Sequence, residues 1–103
     1  MAMQINVNVN GSSAVISMNG RFDFNSHREF RSASEQATKA EGVNDIEVDL
    51  SAVDYLDSSA LGMLLLLREK ANAANRKLTL SNCKGMVQQV LEVANFGKLF
   101  TIK

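Results

Sequence analysis

The order in which apolar periodicities follow one another leaves this chain few folds to choose from. Two alternating runs come first, and three segments of helical spacing follow, each trailed by a short alternating or apolar run. Met3 to Asn10 alternates apolar and polar residues with period two, the mark of a half-buried strand. Gly11-Ser12-Ser13 is a turn and Ala14 to Met18 a second strand, so the pair reads as a hairpin. Asn19-Gly20 then breaks the pattern. Ser26-His27-Arg28-Glu29 has the S-x-x-E capping-box form, and Phe30, Ala33, Ala37 and Ala40 follow on one helical face. A first helix is therefore expected from about Ser26 to Ala40, with Gly42 where a C-terminal glycine belongs.

Ile46 to Leu50 alternates again and reads as a strand. A second helix is expected from near Asp57 or Ser58 to near Asn75, then a short strand at Lys77 to Ser81. Val87, Val90, Leu91 and Ala94 mark a third helix with Asn95-Phe96-Gly97 as its exit, and Leu99 to Ile102 reads as a last short strand. Strands that alternate with helices need crossover connections, so part of the sheet must be parallel while the opening hairpin is antiparallel. The expectation is a small single α/β domain spanning residues 1–103, with a mixed four- to five-stranded sheet and about three helices.

Composition narrows the function classes. A chain of 103 residues suffices for one hydrophobic core and is short for two. Eleven basic residues balance eleven acidic ones, so no overall charge excess points to nucleic acid or an anionic membrane. One cysteine, Cys83, permits no internal disulfide and fits a reducing compartment. The first residues lack the basic and apolar regions of a signal peptide, and the longest apolar run, Met63 to Leu67, falls far short of a bilayer span. A cytoplasmic location is expected.

The chemistry concentrates in Asp54-Tyr55-Leu56-Asp57-Ser58-Ser59-Ala60-Leu61-Gly62. One acid and one serine are explained by helix capping, since a side-chain oxygen satisfies an orphan N–H at the helix start. A second serine and a second acid exceed what a cap requires. Ser58 and Ser59 are candidate phosphate acceptors at the mouth of a strand-to-helix turn. A phosphate there adds about −1.5 to −2 charge, which a helix N-terminus tolerates. Beside Asp54 and Asp57 it makes an anionic knob that a docked partner would meet as repulsion. On the following helix Ala60, Leu64, Leu67 and Ala71 form a core stripe, with Met63 and Ala74 beside it. Leu61 and Leu65 lie off that stripe near Arg68 and Asn72, and Leu66 lies on the other flank. Either a neighbouring helix covers these leucines or they anchor a partner.

The string Asp49-Leu50-Ser51-Ala52-Val53-Asp54-Tyr55-Leu56-Asp57-Ser58-Ser59-Ala60-Leu61-Gly62 resembles the signature of the STAS domain family, in particular its bacterial anti-sigma factor antagonists. Those show D-[LF]-S-x-[VL]-x-[FY]-[ML]-D-S-[ST]-G-L-G, so Ala60 stands where glycine is usual. Alanine is the better helix former, and its methyl is expected to restrict the approach of a kinase slightly. Gly20-Arg21-Phe22-Asp23 resembles the family's G-x-[LF]-D, and Asn95 to Phe100 resembles its ending more loosely.

The resemblance implies a non-enzymatic partner switch. A serine/threonine kinase of the GHKL ATPase type, itself the anti-sigma factor, would phosphorylate Ser58, with Ser59 as the second choice. A PP2C-type phosphatase would remove the phosphate. The unphosphorylated protein would bind the kinase through Asp23, Asp54, Asp57, Ser59, Leu61, Gly62, Leu65 and Leu66, without touching DNA. The resemblance also admits a different role, a STAS subunit that braces a transporter ATPase with the same helix and no phosphate cycle.

Other chemistries find little material. A chain with one histidine, His27, and one cysteine offers no zinc set, and the six glycines are isolated, so no phosphate loop exists. ATP then belongs to the partner, and no cofactor is expected. Serines without a G-x-S-x-G elbow or a nearby histidine do not make a hydrolase signature. Asp49, Asp54 and Asp57 would imitate an acidic metal pocket only if Asp49 approached the turn. Lys84 beside Cys83 would favour a lowered thiol pKa, against the ordinary reading of an inert thiol.

Overall fold

A computed structural model describes residues 4–103. The elements run β1 (Gln4–Asn10), β2 (Ser13–Phe22), a 3₁₀ turn (Phe24–Ser26), α1 (His27–Lys39), β3 (Asp45–Leu56), α2 (Ser58–Ala73), β4 (Lys77–Ser81), α3 (Gly85–Val93), a second 3₁₀ turn (Phe96–Lys98) and β5 (Thr101–Ile102). The sheet has five strands in the order β1-β2-β3-β4-β5. β1 and β2 are antiparallel, and every later neighbour is parallel. The mixed α/β fold expected from the sequence is the fold found. Met3, read as the start of the first strand, lies outside the described residues.

Each parallel step moves the same way across the sheet, and right-handed crossovers then place all three helices on one face. The core follows that rule. Ala14, Ile16 and Met18 of β2, Ile46, Val48 and Leu50 of β3 and Leu80 of β4 are buried beneath Phe30 and Ala33 of α1, Leu64 and Leu67 of α2 and Val87 and Leu91 of α3. The opposite face carries the rows Asn6-Ser17-Asp49-Ser81 and Asn8-Val15-Glu47-Thr79. Mostly parallel sheets usually have both faces covered. Here polar side chains alternating out of β3 solvate the second face, and Ser81 Oγ donates to Glu47 Oε2 at 2.6 Å across it.

Five expectations are corrected. Asn19-Gly20 does not end β2. The strand continues to Phe22 through two register shifts, one between Ser17 and Asn19 and one between Gly20 and Arg21. Gly20 permits this with φ 103°, a backbone that side-chain-bearing residues rarely adopt. β3 likewise runs past Leu50 to Leu56, because the extended β2 pairs with it up to Phe22 opposite Leu56.

The first capping box sits one turn earlier than Ser26-Glu29. Asp23 Oδ1 accepts from Asn25 N at 3.0 Å and Asp23 N donates to Ser26 Oγ at 3.2 Å. Ser26 therefore turns back to the 3₁₀ turn, donates to the Arg21 carbonyl and makes no side-chain cap on α1. Ala74 is exposed, because α2 ends at Ala73 and its last turn leaves the sheet. The last strand is only Thr101–Ile102, since Phe100 N still bonds the Phe96 carbonyl and the two rings stack at 5.0 Å.

Candidate partner-binding site

Two parallel strands end side by side and are followed by matching turns. Phe22 pairs with Leu56, and an aspartate comes next in each strand. Asp23 has φ −137° and ψ −168°, and Asp57 has φ −120° and ψ −173°. Each is an extended residue whose carboxylate caps the turn after it. Asp57 Oδ1 accepts from Ala60 N at 3.0 Å, and the Asp57 carbonyl accepts from Leu61 N at 3.2 Å. The residues after the two caps, Phe24 and Ser58, consequently occupy equivalent places in neighbouring turns, and the Phe24–Ser26 turn packs against α2.

Ser58 is exposed at the first position of α2, Ser59 is half-buried behind it, and Ala60 is fully buried. The Ala60 methyl therefore belongs to the core. Asp54 is exposed at the bulge, where Val53 and Tyr55 find partners on β2 and Asp54 finds none. Arg21 supplies a local positive charge: its guanidinium lies 3.9 Å from the centroid of the Tyr55 ring and its Nε lies 3.7 Å from Asp23 Oδ2. The turn is thus mixed in charge.

The leucines divide between two flanks of α2. Leu61 and Leu65 are half-buried against the core, on the flank where Arg68 Nε donates to the Leu99 carbonyl at 2.7 Å. Leu66 remains 53% exposed on the flank facing α1, at the rim of a groove of about 250 Å³ lined by His27, Phe30, Arg31, Met63, Leu67 and Lys70. Gly62 lies exposed between the flanks, and a Cβ built there meets nothing within 4 Å.

Asp49 does not join the turn. Its carboxylate accepts from Asn82 Nδ2 at 3.0 Å and from Ser51 N at 2.9 Å, on the polar face of the sheet. The Asn82 amide above all holds its pKa below the usual value, with burial opposing and the Ser51 contacts adding to the lowering. No group of three or more metal-ligating side chains comes together among the described residues. His27 is exposed at the start of α1. Burial pushes the half-buried Cys83 thiol up, opposite to the lowering that Lys84 would have favoured.

Sequence reasoning missed Phe24. It is 71% exposed, an aromatic ring standing in water on the turn next to that of Ser58. Its only signal in the sequence is its place directly after Asp23, the counterpart of Ser58 after Asp57.

A family profile described as "Mlab, STAS domain" matches residues 5–101, and this chain belongs to the STAS domain family. A STAS-domain containing protein of Pseudomonas aeruginosa (strain UCBPP-PA14) is 43% identical over 102 residues, 99% of each chain. Among solved structures, an anti-sigma factor antagonist from Mycobacterium paratuberculosis superposes with TM-score 0.85 at 20% identity, covering 98% of this chain and 85% of that one. The phosphorylated form of the Bacillus cell fate determinant SpoIIAA superposes with TM-score 0.72 at 20% identity, over 99% and 91% of the two chains. These two likenesses concern the fold. No helix among the described residues is long and apolar enough to cross a membrane.

Proposed function

We propose that this protein is a cytoplasmic anti-sigma factor antagonist, a single-domain phosphoprotein switched at Ser58. Unphosphorylated, it binds a GHKL-type serine/threonine kinase that is also the anti-sigma factor, and the kinase releases its client. Phosphorylation of Ser58 ends the complex, and a PP2C-type phosphatase resets it. Transcription changes with no contact between this protein and DNA.

The observation that carries the reading is the division of labour between Asp57 and Ser58. Asp57 holds the helix start through Ala60 N, and the exposed Ser58 hydroxyl makes no hydrogen bond to a described residue that modification would break. A phosphate on Ser58 sits at a helix N-terminus, where its charge is tolerated. The fold survives while the already acidic surface that a partner reads becomes strongly anionic, in the manner of a docking interface disrupted by added charge. Asp23, Asp54, Asp57, Ser59, Leu61, Gly62, Leu65 and Leu66 surround the acceptor as the docking face, and Phe24 joins them. The fold shared with a protein whose structure is known in a phosphorylated form favours the same reading.

The test uses the purified chain, its cognate kinase and ATP. Intact mass should rise by one phosphate, and Ser58→Ala should abolish the gain. A full-stoichiometry gain in the Ser58→Ala variant overturns the assignment to Ser58. Ser58→Glu should weaken kinase binding at least tenfold, and undiminished affinity would remove the electrostatic switch. Co-purification from cells separates this role from the brace: a retained transporter ATPase in place of a kinase would favour the structural subunit.

A further inference from the structure

The free edge of the sheet carries a second interaction surface, independent of the Ser58 turn. β1 is an edge strand of seven residues, Gln4-Ile5-Asn6-Val7-Asn8-Val9-Asn10, paired along its whole length with β2. Its outer side pairs with no described residue, so every second residue presents an N–H and a C=O to solvent. Edges of this kind are normally blunted by lysine, proline, a bulge or short length. β1 has none of these. It bears no charge and no proline, and the register shifts of the sheet lie between β2 and β3. The opposite edge, β5, is blunted by being two residues long.

We infer that β1 pairs antiparallel with β1 of a second copy of this chain, joining two sheets into one. The sequence of the strand is self-complementary in that arrangement. A two-fold axis through Val7 sets Ile5 opposite Val9 of the second copy and Asn6 opposite Asn8. Gln4 then faces Asn10. The apolar row meets an apolar row on the helical side, where Ile5 and Val7 are half-buried and Val9 is 51% exposed. The amide row meets an amide row on the polar side, where carboxamides can donate and accept across the axis.

Charge does not oppose the union. The strand is neutral, and the chain carries eleven basic and eleven acidic residues. Beside β1 lies a groove of about 490 Å³ floored by Ile5, Val7 and Ala33 and walled by Arg28, Glu29 and Gln36 of α1. One cation, one anion and neutral side chains line it, so the groove carries no net charge. The interface is isologous and closes at two, which satisfies both β1 edges and leaves only the two-residue β5 edges exposed.

Sedimentation of the full chain over a wide concentration range tests this, and the register supplies a charge-swap control. Asn6 and Asn8 are exposed, so substitution there spares the core. Asn6→Lys with Asn8→Lys sets lysine against lysine across the axis, and the dimer dissociation constant should rise at least tenfold with the circular dichroism unchanged. Asn6→Lys with Asn8→Glu sets lysine against glutamate, and dimerisation should return to within about threefold of the parent protein. A parent protein that stays monomeric at millimolar concentration overturns the proposal. So does a dimer indifferent to the double lysine, or one weakened equally by both variants. Amide exchange gives an independent readout: outward-facing β1 amides should gain protection with concentration, and concentration-independent exchange would also overturn the pairing.

Discussion

Asp57 and Ser58 are adjacent, yet the fold depends on one and not the other. The Asp57 carboxylate satisfies an N–H that α2 otherwise leaves orphaned, and removing such a cap costs about 1 kcal/mol. Asp57→Ala should lower stability by that amount in urea denaturation, while Ser58→Ala should stay within about 0.5 kcal/mol of the parent. Gly62 gives the complementary case. Glycine inside a helix is worth up to about 1 kcal/mol less than alanine, and here a methyl meets open space. Gly62→Ala should therefore stabilise the fold and, if a partner backbone packs closely on α2, weaken kinase binding in the same preparation.

Asp49 sets a pH signature instead. Its native pKa is lowered, so its contribution is complete above the unfolded aspartate value of about 3.9 and is lost as pH falls through the native value. Asn82→Gly removes the amide while preserving ease at φ 59°. The stability gap between parent and variant should be under about 1 kcal/mol near pH 7, because the pair is exposed. That gap should shrink at strongly acid pH. A gap that does not change with pH would mean that the amide acts only through packing.

At the scale of elements, α2 was legible because its core stripe has strict spacing. Ala60, Met63, Leu64, Leu67 and Ala71 are buried as the helical wheel demands. Leu64 is wholly buried, so Leu64→Ala should cost about 2–5 kcal/mol by the loss of burial and the cavity left behind. Thermal unfolding measures it, and a loss under about 1 kcal/mol would mean that the core collapses around the site. The alternating runs of β1, β3 and β4 were legible for the same reason.

The joints were not. Asn19-Gly20 looks like a break because turns and bulges use the same residues, and only the pairing with β3 shows that the chain passes through a bulge and continues. Ser26-Glu29 has the spacing of a cap, but Asp23 competes for the same serine and prevails. Local pattern cannot rank two overlapping caps, because the choice depends on where Phe22 is anchored beside Leu56. The Asp57–Ser58 turn was legible as a place, from its excess of polar groups. Phe24 was not, because its place next to that turn arises from register with a strand more than thirty positions away in sequence.

For the molecule as a whole, placing all helices on one face leaves the C-terminal ends of β2 and β3 as a rim where both strand-to-helix turns meet. The rim unites an exposed hydroxyl at Ser58, a cation at Arg21, acids at Asp54 and Asp57, and a solvated aromatic at Phe24. An aromatic ring left in water contributes little to stability and much to an interface that buries it, which is why aromatic anchors dominate hot spots.

Phe24→Ala should then separate folding from binding. Stability should change by less than about 0.5 kcal/mol, since a ring 71% exposed forfeits little on removal. Affinity for the kinase should fall at least tenfold in calorimetric titration, and phosphorylation of Ser58 should slow through a raised KM with kcat little changed. If stability falls by more than about 1 kcal/mol, the ring serves the turn and not a partner. If affinity and KM are both unmoved, the kinase approaches along α2 and the Leu66 groove, leaving the Asp23 turn outside the interface.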